Sequence, residues 1–192
     1  MARPREFDRE TVLQAAMNVF WEKGYEAVSL SDLTERMGIQ RPSLYAAFGD
    51  KKGLFEEALR LYNSRHAAHI RHKLQQEPVT DALVRLFSET ISEAYESGPS
   101  KGCFCINTLV ELAPHDEKFA ILTREHQMYL SVIFQAALDE GQKRGELKQG
   151  FDVKAASRLL TAGWIGLTVL LKSRPDRTYA EQTAAALLHI LK

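Results

Sequence analysis

From Asp8 to Leu191 the apolar residues return every three or four positions, and no alternating run of useful length interrupts them. A chain patterned in this way buries its apolar stripes by packing helix on helix, so the expected fold class is all-α. Glycine and proline punctuate the pattern at Gly24, Gly38, Gly49, Gly98-Pro99, Pro114, Gly145 to Gly150 and Pro175. The expected helices after residue 50 run from Lys51 to about Gln75, Thr80 to Ser97, Cys103 to Ala113, Asp116 to Arg144, Asp152 to Ser173 and Thr178 to Leu191. No internal repeat and no low-complexity tract appears.

Charge decides which partners such a chain can hold. Lys plus Arg and Asp plus Glu both number 25 among 192 residues, so the net charge is zero and any anion must meet a local patch. The longest mainly apolar stretch, Leu159 to Leu171, falls short of the roughly 18 to 20 residues of a membrane-spanning helix, so no membrane partner is expected. The opening MARPREFDRE is charged where a secretory signal needs an apolar run, which predicts a cytoplasmic location, reduced Cys103 and Cys105, and no disulfide framework. Arg3 and Arg5, beside Pro4, read as a flexible basic arm.

The first 50 residues carry the most specific local signals. Asp8 is placed to cap a helix through Val12, Ala15, Ala16, Val19 and Phe20, with Phe7 and Val12 as its hydrophobic staple and Gly24 as its stop. Ser29 with Asp32 three residues on reads as a near capping box for a short second helix, which Gly38 ends. Only Ile39 and Gln40 separate it from a third helix, Arg41 to Phe48, with Pro42 in the first turn where proline is tolerated. Two short helices joined by a glycine turn form a helix-turn-helix. Leu30, Leu33, Met37, Ile39, Leu44 and Phe48 are its internal residues, leaving Gln40, Arg41, Ser43, Tyr45, Ala46 and Ala47 facing outward. Arg41 has the fork that bonds guanine, Ser43 and Tyr45 have hydroxyls for phosphate, and alanine methyls suit thymine methyls. Lys51 and Lys52 open the next helix, where amide ends and lysine charge together attract phosphate, and Ser29 opens the second. Short helix pairs of this kind also occur in all-α proteins that never meet DNA, and residues 1 to 55 hold eight basic and eight acidic groups.

The run Gly24-Tyr25-Glu26-Ala27-Val28-Ser29-Leu30-Ser31-Asp32-Leu33, then Met37-Gly38-Ile39, Pro42-Ser43-Leu44-Tyr45, Phe48 and Lys51 with Leu54-Phe55, resembles the N-terminal domain of the tetracycline-repressor (TetR) family of bacterial transcriptional regulators. The resemblance implies an all-α homodimer that binds a palindromic double-stranded DNA operator and releases it on binding a small-molecule effector. By position it implies phosphate contacts at Ser29, Ser43, Tyr45 and Lys51, and places near base edges for Gln40, Arg41 and Pro42. The sequence departs at Ala46 and Ala47, where family members often carry larger aromatic or histidine side chains, so Arg41 bears more of the base reading. The domain division that follows is a DNA-binding unit at residues 1–55 and a ligand-binding and dimerising helical bundle at 56–192.

Beyond residue 55 the residues speak alone. The helix around Leu159 to Leu171 is apolar nearly all round, which asks for a partner surface unless the helix is wholly internal. With the last helix it resembles the family's dimer-forming pair, and Leu167, Leu170, Leu171, Ala184, Leu187, Leu188 and Leu191 are the candidate interface. Three groups are candidate sensors. His66, His69 and His72 are spaced along one helix, but flanking Arg65, Arg71 and Lys73 oppose a cation, and solvated histidines near a helix end fit equally well. Cys103 and Cys105 diverge by about 200° on a helix, too far to chelate together. Cys103 is the effector candidate, because a helix start and Lys101 favour its thiolate, while a small buried core residue is the plain alternative. Phe87, Phe104, Met128, Tyr129, Phe134 and Trp164 supply bulk for an apolar cavity or, more simply, for the core. Paired Glu-x-x-His motifs, Gly-rich phosphate loops, GxSxG and HExxH are absent from the sequence. No metal, no cofactor and no enzymatic activity are therefore expected.

Overall fold

The first helix, α1 (Arg9–Lys23), starts where a carboxylate satisfies its free amides: the Asp8 side chain accepts from the Glu10 N–H at 3.2 Å. In this computed structural model, which describes residues 8–75, 78–96, 98 and 100–191, the expected partner of the staple, Phe7, and the basic arm with Arg3 and Arg5 lie outside the described residues. α2 (Leu30–Met37) opens with a complete capping box, Asp32 N–H to Ser29 Oγ at 3.1 Å and Ser29 N–H to Asp32 Oδ2 at 2.9 Å. Lys23 at the end of α1 adds an ion pair to Asp32 at 2.5 Å, and that ammonium, then Ser29, hold the Asp32 carboxyl far below the usual range. Gly38 adopts φ +66°, the left-handed conformation that lets the chain reverse within two residues into α3 (Arg41–Phe48).

α4 (Lys51–Leu74) is the spine. Its first half packs Leu54, Phe55, Ala58 and Leu59 under α1 to α3, and its second half sends Ala67, Ile70 and Leu74 into the body. The body comprises α5 (Val79–Glu96), α6 (Phe104–Glu111), α7 (Glu117–Lys143), α8 (Val153–Lys172) and α9 (Arg177–Leu188), followed by a 3-10 turn at His189–Leu191. Most helix ends fall within one or two residues of those expected, and no strand occurs among the described residues. The apolar interior does not divide at residue 55. The core under α1 to α3 continues into Cys103, Phe104, Cys105 and Ile106 and into Phe119 and Leu122 of α7. Among the described residues no helix is long and apolar enough to cross a membrane.

Candidate nucleic-acid interface and cavity

On α3 the residues divide cleanly by turn. Leu44 and Phe48, four apart, are buried against the core, while Arg41, Pro42, Tyr45 and Ala46 are exposed together on the opposite face, with Gln40 just ahead of them. Ser43 is half-buried. Arg41 is held ready by α2, its Nη2 donating to Ser31 Oγ at 2.8 Å. Arg9, which sequence reading did not single out, braces the far end: it donates to the Ala47 carbonyl at 3.1 Å, pairs with Glu57 and lies over the Phe48 ring. Ser29 spends its hydroxyl on the α2 cap. The two lysines part company. Lys51 has its ammonium over the Tyr25 ring, 4.4 Å from the ring centre, whereas Lys52 is paired with Asp116 at the start of α7.

A cavity of about 470 Å³ opens where α1, α4, α5 and α8 meet. Its walls are Trp21, Tyr62, His66, Ile70, Leu86, Trp164 and Leu171, with Glu89, Thr90, Glu93, Arg65, His69 and the segment Ser100 to Cys103 about them. Sequence reading of the bulky apolar residues anticipated only part of this. Trp164 lines the cavity, and Phe104 lines a neighbouring cleft. Phe87 and Phe134 are wholly buried core, while Met128 and Tyr129 stand exposed on the outer face of α7, because periodicity tells which residues share a face and not which face is covered. His66 faces α7, with its Nδ1 3.0 Å from Nε2 of His126 and its ring stacked on Tyr62. Burial, with His126 and His69 nearby, lowers the His66 pKa to about 3, and burial lowers that of His126 to about 4, so both rings are neutral at pH 7. Among the described residues no three His, Cys, Asp or Glu side chains gather as a metal site.

Cys103 corrects an expectation. It is indeed the cap residue of α6, but it is buried, and Lys101 turns away to pair with Glu22 at 2.6 Å. Loss of solvent outweighs the helix start and pushes the thiol pKa up, even though the Tyr62 hydroxyl donates to Cys103 Sγ at 3.4 Å. Burial pushes Cys105 up as well. Both thiols are therefore expected to alkylate with iodoacetamide at pH 8 at least about tenfold slower in the folded chain than in denaturant. Peptide mass spectrometry reads this directly, and rapid labelling of Cys103 in the folded chain contradicts the burial.

The candidate dimer residues separate into two groups. Leu167, Leu171, Ala184, Leu188 and Leu191 are buried inside the chain's own core, and Leu170 and Leu187 are half-buried. Leu187 packs so closely on α8 that a Cβ at Gly163 would lie 2.1 Å from its Cδ2. What α8 leaves exposed is a different stripe, Ala155, Leu159, Ala162, Gly166 and Val169.

Two family models match the chain. One, described as bacterial regulatory proteins of the tetR family, covers residues 12–58, and the other, a tetracyclin repressor-like C-terminal domain, covers residues 79–187. The transcriptional repressor ComR of Escherichia coli is 32% identical over 190 residues, spanning 98% of this chain and 90% of its own. The HTH-type regulator YezE of Bacillus subtilis is 33% identical over 92% of each chain. Among solved structures, a cysteine-substituted form of the TetR family regulator CifR, complexed with 26-base-pair operator DNA, superposes with a TM-score of 0.85 at 33% identity over the whole of both chains.

Proposed function

This chain belongs to the TetR family of bacterial regulatory proteins, and on that premise we propose that it is a cytoplasmic repressor that grips a palindromic operator as a homodimer and releases it when a small molecule enters the cavity. The observation that carries the reading is the exposed row Gln40, Arg41, Pro42, Tyr45 and Ala46 on a short helix whose opposite side is fixed by Leu44 and Phe48. Such a helix enters the major groove with its N-terminal residues against base edges. Arg41, already oriented by Ser31, bonds a guanine edge. Tyr45, Ser43 and Lys51 hold the phosphates on either side, and Lys52, tied to Asp116, contributes field rather than a direct bond. The solvent-facing stripe of α8, continued by exposed Ala185 and Ala186 of α9, supports a second copy as the partner surface. The cavity, with the rings of Trp21, Tyr62 and Trp164 beside Ile70, Leu86 and Leu171, suits an organic effector, and Cys103 lines it as a neutral thiol.

Fluorescence anisotropy with operator DNA tests the assignment of roles. Arg41→Ala is expected to cost roughly 1–3 kcal/mol and to relax preference at one position per half-site. Lys51→Ala is expected to weaken all sequences alike and to reduce the salt slope by about one. Unchanged affinity and preference in Arg41→Ala contradicts the role given to that residue.

A further inference from the structure

One wall of the cavity belongs to the DNA-binding domain itself. Trp21, on α1, lines it, and the same indole donates through Nε1 to the carbonyls of Lys101 and Gly102, at 3.2 Å each. The ring also packs edge-on against Tyr62 at 5.1 Å, and its neighbour Glu22 pairs with Lys101. Residues 100 to 103 thereby form a strap. Gly102 takes φ +67° to make its bend, and Asn107 holds the Lys101 carbonyl at 2.9 Å while accepting from Lys172 of α8 at 3.0 Å. The strap and Trp21 are a common wall, since Trp21, Ser100, Lys101, Cys103 and Thr168 line both the cavity and the 540 Å³ cleft on its other side. A molecule seated in the cavity therefore touches α1 directly, without working through the length of α4.

The lining also selects the molecule. Each Lys or Arg among the described lining residues already holds a carboxylate, Arg65 that of Glu10 and Lys101 that of Glu22, so an anion finds no unpaired Lys or Arg. Glu89 is paired with Lys73, and Glu93 lies exposed at the rim, so a cation finds no buried counter-ion either. The aromatic end offers ring surface from Trp21, Tyr62, His66 and Trp164.

We propose that the cavity takes a neutral, flat, mainly apolar molecule, and that Trp21, through its grip on the 101–102 backbone, is the residue by which α1 senses it. The inference rests on the repressor reading for its consequence, release of DNA, but its test needs no DNA. The probe is prodan, a neutral naphthalene ketone whose emission moves to the blue in apolar surroundings, compared with the anionic 2-(p-toluidino)naphthalene-6-sulfonate. With the full chain, prodan binds saturably and shifts to the blue, and the sulfonate binds at least about tenfold more weakly. The chain has two tryptophans, so a ¹H–¹⁵N spectrum shows two indole signals, and the one lost in Trp21→Phe is that of Trp21. Prodan moves that signal and the backbone amides of α1 and α2, and in Trp21→Phe it still binds but leaves those amides in place. Absence of prodan binding, or a Trp21 signal that stays put on binding, overturns the site. Equal or tighter binding of the sulfonate overturns the ligand class, and α1 amides that still respond in Trp21→Phe overturn the role of Trp21. Failure to find an operator, by contrast, bears on the repressor reading alone.

Discussion

Leu159→Glu is expected to leave the helices intact, convert the chain to a monomer and weaken operator binding by roughly 10²- to 10⁴-fold, the loss that follows when two half-site contacts are no longer linked. The position is chosen for what it does not touch. Leu159 is 45% exposed in the single chain, so a carboxylate there costs the isolated subunit little and acts only where a second copy covers it. A charge at Leu167, Leu171 or Leu188 has a different consequence, because these side chains fill the chain's own core and their loss of packing unfolds the subunit. Sedimentation velocity, circular dichroism and anisotropy on Leu159→Glu separate the two effects. A variant that remains dimeric with wild-type operator affinity removes the α8 stripe from the interface.

The second large effect is on stability against pH. His66 and His126 lie near pKa values of about 3 and 4 in the folded chain, against about 6.5 when unfolded. Below pH 6.5 the unfolded chain therefore takes up protons that the native pair refuses. The contribution is fully present above pH 6.5 and is lost as pH falls toward 4, by about 2 kcal/mol per histidine between pH 7 and pH 5. The carboxylates held below their usual range, Asp32, Glu56 and Asp116 among them, titrate at lower pH and leave this window to the histidines. Urea titrations at pH 7, 6 and 5 measure the slope, and His126→Gln is expected to flatten it. A stability that is level between pH 7 and pH 5 contradicts a neutral buried pair.

Much of the fold was legible because its signals are local. The Asp8 cap, the Ser29 and Asp32 box, the left-handed Gly38 and Pro42 at the start of α3 each act within about four residues, and sequence order alone exposes them. The exposed row of α3 followed from helical spacing. What escaped are meetings across long separations: His66 with His126, Trp21 with the 101–102 backbone, Lys52 with Asp116. Helical periodicity says that Met128 and Tyr129 are apolar neighbours, yet it does not say that α7 turns them to solvent. Cys103 shows the same limit in electrostatic form. Its helix start and nearby Lys101 were visible, but its burial, which decides the sign of the shift, depends on Tyr62 and Phe104 closing around it.

The central claim, that this chain is a dimeric, operator-binding repressor, is tested most directly by titrating it against the DNA immediately upstream of its own gene at physiological salt, with stoichiometry read in the same experiment. The account predicts saturable binding at least about 10³-fold tighter than to a scrambled duplex, with an even number of chains per site. Binding no tighter than to the scrambled duplex, or one chain per site, contradicts it.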